Sequence, residues 1–440
     1  MTLRARAKLI HIATHSNPRI FVSAGEASGD HYGAGIIAEL RARLADATFT
    51  GLGGTVMADA GQERIVRAED VAHMGFTEVV RHAPYIYGQY RKLVSAIERE
   101  RPDVAILIDF PEVNFRLARR LKRLGVPVLW FVSPQLWAWK RKRLRLVRRF
   151  IDRMMVIFPF EAAFYRARGV AAEFVGHPLA TLPLPTISRE EYATEYGLDP
   201  AKTWFAILPG SRQSEVHRNL PRMLRTAAIL SLDMQRRCQA LLPVASTIDH
   251  AWIKAEIAAC YTAENKNNPG DGMLPRIVLV PHAREALHHA SASVVASGTA
   301  TVQALTIGNP FVVVYRVSAL TFALAKRLVR YPAEIPAEPD ADGNLPVAMP
   351  NLIAGRRIVP ELLNRRFTAA NVVAALRPLL DETPERREMI ADLAEARTKL
   401  LPIPAQTGQP EDPIRRVSDA VVELLQTASA AVPRTTVINV

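Results

Sequence analysis

Residues 19–35 read RIFVSAGEASGDHYGAG. The first six form a nearly continuous apolar run, which marks a strand covered on both faces, as in a parallel sheet. A glycine-rich turn follows, and then a helical pattern that continues to about Leu44. Together these make one β/α step. The turn could cradle a phosphate, carry catalysis, or only reverse the chain tightly. It lacks both the G-x-G-x-x-G and the Walker spacing, which weighs against a dinucleotide loop or P-loop. Glu26, Ser28 and Asp30 supply polar groups there. Asp30 is equally suited to capping a helix.

The same rhythm recurs downstream. VAILID (104–109), VPVLWFVS (126–133) and RMMVIFP (153–159) are buried-strand runs separated by helical stretches, one of them Asn114–Leu124. A polar, proline-containing break follows at 181–200 and reads as a linker with a short helix. Then TWFAILP (203–209), QALLPVA (239–245), RIVLVP (276–281), ASVVAS (292–297) and FVVVYR (311–316) restart the pattern. Two successive halves of this kind predict an α/β protein with two doubly wound, Rossmann-like domains facing a cleft. The expected division is an N-terminal extension at 1–18, a first domain at 19–180, the linker at 181–200 and a second domain at 201–400. A linker and final helix at 401–440 are expected to return to the first domain. Five prolines in 331–350 suggest a loop that moves.

The chain has 440 residues, enough for two or three domains with substantial cores. No run approaches the roughly 18 apolar residues that span a bilayer, and the first 18 residues hold no secretory h-region. Cys238 and Cys260 lie outside any C-x-x-C pattern, so neither a disulfide framework nor a structural zinc is expected and a reducing cytoplasm fits. Lys and Arg exceed Asp and Glu by 56 to 43, a net charge of +13 that suggests an anionic partner. The densest part follows Trp137 and Trp139: seven cations lie within 140–149, beginning Lys140, Arg141, Lys142 and Arg143. Indoles beside cations suit an anionic membrane surface, although a solvated helix face fits the same spacing. No nucleic-acid motif accompanies the charge, so nucleic acid is not expected as a partner.

Several strand ends carry groups suited to chemistry. In ILPGSRQSEV (207–216), amides after Gly210, the Ser211 hydroxyl and the Arg212 fork are suited to a diphosphate. In VVASGTATVQAL (294–305), Ser297, Gly298 and Thr299 precede a helix and offer a second anion site. Both stretches also suit capped turns. Asp109 ends a buried strand and is placed to act as general base, with Glu112 a second candidate; a helix cap is the alternative, for which Asn114 competes. His177, beside the linker, is within reach of a cleft, or serves the structure. No histidine or carboxylate set has metal-ligand spacing. Asp340-Ala341-Asp342 lies in the proline-rich loop rather than after a strand, so no metal is expected.

These stretches together resemble the lipid-A-disaccharide synthases, inverting sugar-nucleotide glycosyltransferases of the GT-B architecture. The resemblance is carried by SAGEASGDHYGA (23–34), GLGGTVMADAG (51–61), MGFTEVVRH (74–82), RPDVAILIDFPEVNFRLARRLK (101–122), FVSPQLWAW (131–139), FPFEAAFYRARGV (158–170), FVGHPLA (174–180), LPGSRQSEV (208–216), ASGTAT (296–301) and PNLIAGRRIVPELL (350–363). They run in family order over roughly 20–380.

The resemblance implies transfer from UDP-2,3-diacylglucosamine to 2,3-diacylglucosamine 1-phosphate, giving the β-1,6-linked lipid A disaccharide 1-phosphate and UDP. It implies a peripheral protein on the cytoplasmic face of the inner membrane, with no metal and no cofactor. Asp109 matches the family's general base and Arg212 its diphosphate-proximal arginine. Ser297, Gly298, Thr299 and Thr301 match the nucleotide-binding turn, and Asn351 a nucleotide-proximal asparagine. Glu26 remains the rival to Asp109 for the acceptor proton. Two positions depart from the family. Gln303 stands where a glutamate is usual, and Glu112 where an aspartate is. These departures leave open a divergent paralogue with another acceptor, or a UDP-sugar epimerase or hydrolase on the same scaffold. Self-association as a homodimer is also left open.

Overall fold

The structure, a computed structural model, describes residues 17–72, 83–235, 237–267, 277–318, 322, 327–403 and 408–431. Its frame is two parallel sheets. The first contains β1 (Arg19–Ala24), β2 (Thr48–Gly53), β3 (Gln62–Arg67), β4 (Val104–Ile108), β5 (Val128–Phe131), β6 (Arg153–Val156) and β7 (Ala172–Phe174), in the order β3-β2-β1-β4-β5-β6-β7. The second contains β8 (Thr203–Leu208), β9 (Cys238–Pro243), β10 (Ile277–Val280), β11 (Ala292–Ala296), β12 (Phe311–Tyr315) and β13 (Glu361–Leu363), ordered β10-β9-β8-β11-β12-β13. Helices lie between the strands in both halves, giving the doubly wound architecture of a GT-B protein.

Strand order reverses once in each sheet: between β1 and β4 in the first, and between β8 and β11 in the second. Chains leaving either side of such a point turn away from each other and open a crevice at the strands' C-terminal ends. RIFVSA and VAILI flank the first crevice, with Ala24 paired to Ile108. TWFAIL and ASVVA flank the second. All five residues of VAILI are buried, as a central strand requires. The missed strands β2, β3, β7 and β13 lie toward the sheet edges, where polar residues are tolerated and the apolar run breaks up.

Three helices follow from local sequence. Helix α1 (Ala27–Arg43) leaves the turn after β1, and α2 (Thr55–Asp59) follows β2. Helix α3 (Pro111–Arg123) opens with Pro111 and Glu112 and closes with Arg120, Lys122 and Arg123, the polarity its dipole favours. In the second half, α4 (Gln213–Asp233) follows β8 and α5 (Thr299–Ile307) follows β11. The last helix, α6 (Pro413–Ala431), packs on α1 of the first half. Arg416 pairs with Glu173 at 3.0 Å, Arg153 with Glu423 at 2.7 Å, and Arg43 with Asp419. Within the linker, a capping box between Ser188 and Glu191 starts the helix Arg189–Tyr196.

Two expectations need correction. The 331–350 segment is pinned rather than loose. Tyr331 lies 5.5 Å from the Trp137 ring, and Glu334 pairs with Arg168 at 3.0 Å. Asp30 does not offer its carboxylate to a substrate. It is buried and accepts from Gly54 N at 2.7 Å, Val56 N at 3.0 Å and Met57 N at 3.2 Å, closing the N-terminus of α2. A buried carboxylate with three amide donors is a scaffold group. Asp30→Ala is therefore expected to lower unfolding free energy by about 2–3 kcal/mol, seen as a lower urea midpoint, with UDP affinity of the folded protein retained. An unchanged midpoint would contradict this role.

Candidate active site

The first crevice is tied together by Asn114, whose amide is buried one turn into α3. Its Nδ2 donates to Asp109 O at 2.7 Å, Ile108 O at 3.2 Å and Ser23 O at 3.4 Å. Its Oδ1 accepts from Ser23 Oγ at 2.7 Å. The side chain that spacing offers as a helix cap thus joins the end of β1 to the end of β4.

Beyond that tie the backbone is strained. Asp109 and Phe110 sit consecutively at φ 44° and 48°, left-handed conformations that cost non-glycine residues about 1–3 kcal/mol each. The turn brings the Phe110 ring against Gly25. A Cβ on Gly25 would lie 2.4 Å from that ring, so glycine is required there. Strain of this kind concentrates at functional sites.

Asp109 is largely withdrawn from water. Burial pushes its carboxyl up to about 7, and the negative charge of Glu26 adds to the push. The Phe110 amide opposes it; Glu112 raises it further and Arg212 lowers it. Tyr32, a residue that sequence reasoning missed, lies buried beside it. Burial and the Asp109 charge both raise its phenol. Only its aromatic character and its place one turn into α1 could have drawn notice.

Across the crevice stands the second half. Arg212, just before α4, reaches Glu26 Oε1 with Nη2 at 3.0 Å, joining the turns after β1 and β8. Its Nη1 lies 3.5 Å from Glu215, whose other oxygen accepts from Ser211 N at 3.3 Å. Two carboxylates therefore hold the donors that sequence assigns to a diphosphate, and Glu215 was missed. After β11, Gly298 at φ 146° begins α5, a backbone geometry that favours glycine. Ser297, Thr299 and Gln303 are at least partly accessible, whereas Thr301 is buried with its hydroxyl on Gly298 O at 2.7 Å. The two turns that the sequence assigns to an anion thus leave β8 and β11, the two neighbours across the second reversal.

Comparison with known proteins agrees with this arrangement. A family model described as lipid-A-disaccharide synthetase matches residues 20–403. The chain is 53% identical to the lipid-A-disaccharide synthase of Acidobacterium capsulatum, over 94% of this chain and 98% of that one. It is 44% identical to that of Koribacter versatilis, over 93% and 99%. The chain belongs to the lipid-A-disaccharide synthase family. It is accordingly a hexosyltransferase of GT-B fold. Among solved structures, the calicheamicin glycosyltransferase CalG4 superposes at a TM-score of 0.53 with 14% identity, covering 94% of this chain and 99% of that one. A complex of S. aureus MnaA with UDP reaches 0.59 with 11% identity, covering 94% and 98%. Likeness at that identity shows the fold alone.

Within this synthase-family chain, several expected site residues serve other ends. His177 is buried and neutral, its ring held to about 3 by burial, and its Nδ1 accepts from Leu179 N at 3.2 Å. It does not present itself to the crevice. Asn351 is also buried. Its oxygen accepts from Ile358 N and Val359 N, and its nitrogen donates to Val359 O and to Glu361 Oε1 at 2.8 Å. With every side-chain partner internal, it supports the loop after the 331–350 segment rather than a nucleotide. Trp137 is buried too and donates to Glu161 at 3.1 Å, so it cannot lie in a membrane. Burial raises Glu161 to about 8. Trp139 is exposed as expected.

Lys140 and Arg143 turn toward Glu112, at 3.4 and 3.1 Å, while Arg141 donates to the carbonyls of Trp137 and Arg330. Burial favours a raised Glu112 carboxyl, but Arg143 and Lys140 outweigh it and hold the group below its ordinary range. Ser28 is half-buried in the first turn of α1. Asp340 is occupied with Asn344 and the Asp342 amide. The family-like stretch MGFTEVVRH (74–82) and the histidines His11, His15, His73 and His82 lie outside the described residues.

The sign of the Asp109 shift has a stability consequence. A carboxyl raised in the fold favours folding below its unfolded value, and that contribution is lost as pH rises through about 7. Asp109→Asn should therefore be the more stable protein at pH 8, by about 1–2 kcal/mol after allowance for solvent screening, with the gain fading toward pH 4. Urea unfolding at both pH values checks this, and equal stability at pH 8 would contradict it.

Proposed function

We propose that the chain transfers the sugar of UDP-2,3-diacylglucosamine to the 6-hydroxyl of 2,3-diacylglucosamine 1-phosphate, with Asp109 as general base. The observation that carries this is the Asp109 carboxylate itself. It sits on a strained turn at the first strand reversal, it is poised to about 7, and among the described residues no side-chain donor is bonded to it. In its ionised form it takes the acceptor hydroxyl proton as that oxygen attacks the donor's anomeric carbon. The bond from that carbon to the diphosphate oxygen breaks, and UDP leaves with the electron pair. A base poised near the working pH combines the right protonation state with useful basicity.

Arg212 exchanges Glu26 and Glu215 for the diphosphate. With Gly210, Ser211 and the turn at Ser297, Gly298, Thr299 and Thr301, it offsets charge developing on the leaving group. Gln303 faces the nucleotide ribose. Glu26, released from Arg212, orients the acceptor; its existing guanidinium partner suits it less to taking the proton. The epimerase or hydrolase alternative is not favoured, since the family model and the relatives named above are all disaccharide synthases. No helix of the described residues is long and apolar enough to cross a membrane. Peripheral attachment to the inner membrane's cytoplasmic face is proposed through exposed Trp139 and the outward cations Lys142, Arg145 and Arg149.

Asp109→Asn should leave UDP binding intact and reduce transfer by about 10²–10⁴-fold. Near-normal turnover would remove Asp109 from the mechanism. Gln303→Glu should tighten UDP-sugar binding, because a carboxylate accepts from both ribose hydroxyls where an amide oxygen serves one. Titration calorimetry reads this directly, and an unchanged affinity would place Gln303 away from the ribose.

A further inference from the structure

Lys140 and Arg143 converge on one oxygen of Glu112, which opens α3 three residues after Asp109. The Glu112 side chain is 58% exposed and both cations are partly exposed. Ion pairs this open contribute little to a fold, so stability does not explain the convergence. The loop that delivers the cations is nonetheless held tightly. It leaves β5, the neighbour of β4, with Val132 at φ 61° and Lys140 at φ 54°. With Asp109 and Phe110, these make four of the seven non-glycine residues of positive φ among the described residues. Strained backbone is thus concentrated on the two loops that bring Asp109 and this cation pair together. Aromatic rings fix the cations further. The Lys140 ammonium lies 4.1 Å from the Trp139 ring, and the Arg143 guanidinium 5.9 Å from that of Phe115.

We infer that Lys140 and Arg143 form the subsite for the acceptor's sugar phosphate, with Glu112 as the counter-ion that the phosphate replaces. The inference rests on the reading of Asp109 as the base that receives the acceptor hydroxyl. In an aminosugar 1-phosphate the phosphate-bearing C1 and the C5 that carries the 6-hydroxymethyl group flank the same ring oxygen, so a 6-hydroxyl at Asp109 keeps the phosphate nearby, and the loop after β5 lies beside the Asp109 turn. A phosphomonoester bears more charge than a carboxylate and presents three oxygens, so a fork and a point charge together prefer it to Glu112. The weak existing pair makes the exchange inexpensive. Lys140 and Arg143 therefore select a phosphorylated acceptor over the free sugar, and belong to the crevice rather than to a membrane-facing stripe.

The test compares the full chain with the Lys140→Ala/Arg143→Ala double variant. Transfer from UDP-diacylglucosamine is measured to the 1-phosphate acceptor and to the same acceptor lacking phosphate. The preference for the phosphorylated acceptor in kcat/KM should fall by about 10²-fold, taking hydrogen bonds to charged groups at their modest end. The loss should appear mainly in acceptor KM, with UDP affinity unchanged, and Lys140→Arg/Arg143→Lys should recover part of it. Equal losses on both acceptors, or none, would overturn the subsite. Phosphorus NMR of glucosamine 1-phosphate, with the donor site saturated by UDP, gives a reading that needs no turnover: line broadening by the parent protein should vanish in the double variant but persist in Asp109→Asn. Persistent broadening in the double variant would also overturn it. Because this binding is read without transfer, failure of the proposed reaction and failure of the subsite are separable.

Discussion

One buried amide holds two strand ends in register, and the crevice chemistry is built on that tie. Asn114 bonds the carbonyls that end β4 and both polar groups of Ser23 on β1. Parallel strands on either side of a reversal send their chains to opposite faces, so nothing in the ladder itself fixes what lies beyond their last residues. A side chain satisfied from both strands does. It bonds the Asp109 carbonyl at the point where Asp109 and Phe110 take left-handed geometry, and Gly25 leaves room for the Phe110 ring. The energetic expense is local strain and a carboxylate held where ionisation is unfavourable. Both are typical of a site kept for chemistry rather than for stability.

The second half meets this arrangement with complementary charge. Its reversal places Arg212 opposite Glu26, and the contact at 3.0 Å spans the crevice. That pair is exposed, so it is easily exchanged. Carboxylates on both sides, Glu26 and Glu215, hold the Arg212 guanidinium between them. Trp137, Tyr331, Arg168 and Glu334 connect the halves elsewhere, and α6 returns to α1, so the crevice walls are joined away from the chemistry.

Much of this was legible in the sequence, for a physical reason. Central parallel strands must be apolar on both faces, so RIFVSA, VAILID, TWFAILP and ASVVAS stand out, and their following turns are the crevice. Strands toward a sheet edge face that demand less, so TFTGLG, one strand in, and the edge strand QERIVR give no such signal. Asp109, Glu26 and Arg212 were legible because charged groups directly after buried strands are costly without a role. Asp30 and His177, offered by their places beside a strand and a turn, and Asn351, offered by the family resemblance, turn out to be held inside the fold. Each is buried and bonded to internal partners, which spacing along the chain does not reveal. Trp137 failed likewise: its neighbour Trp139 is exposed, whereas Trp137 is buried against Phe160 and Tyr331 and donates to Glu161. Tyr32 and Glu215 escaped notice because their importance lies in which residues they face across the fold.

The proton affinity of Asp109 is set by its burial at the turn, then by the charges of Glu26, Glu112 and Arg212 and the Phe110 amide. It can be measured directly by carbon NMR titration of protein labelled at the aspartate carboxyl, with Asp109→Asn identifying the resonance by its loss. The resonance absent from the variant should titrate at about 7. Titration of that resonance at about 4, the ordinary aspartate value, would show that the turn does not poise the carboxylate and would contradict the proposed base.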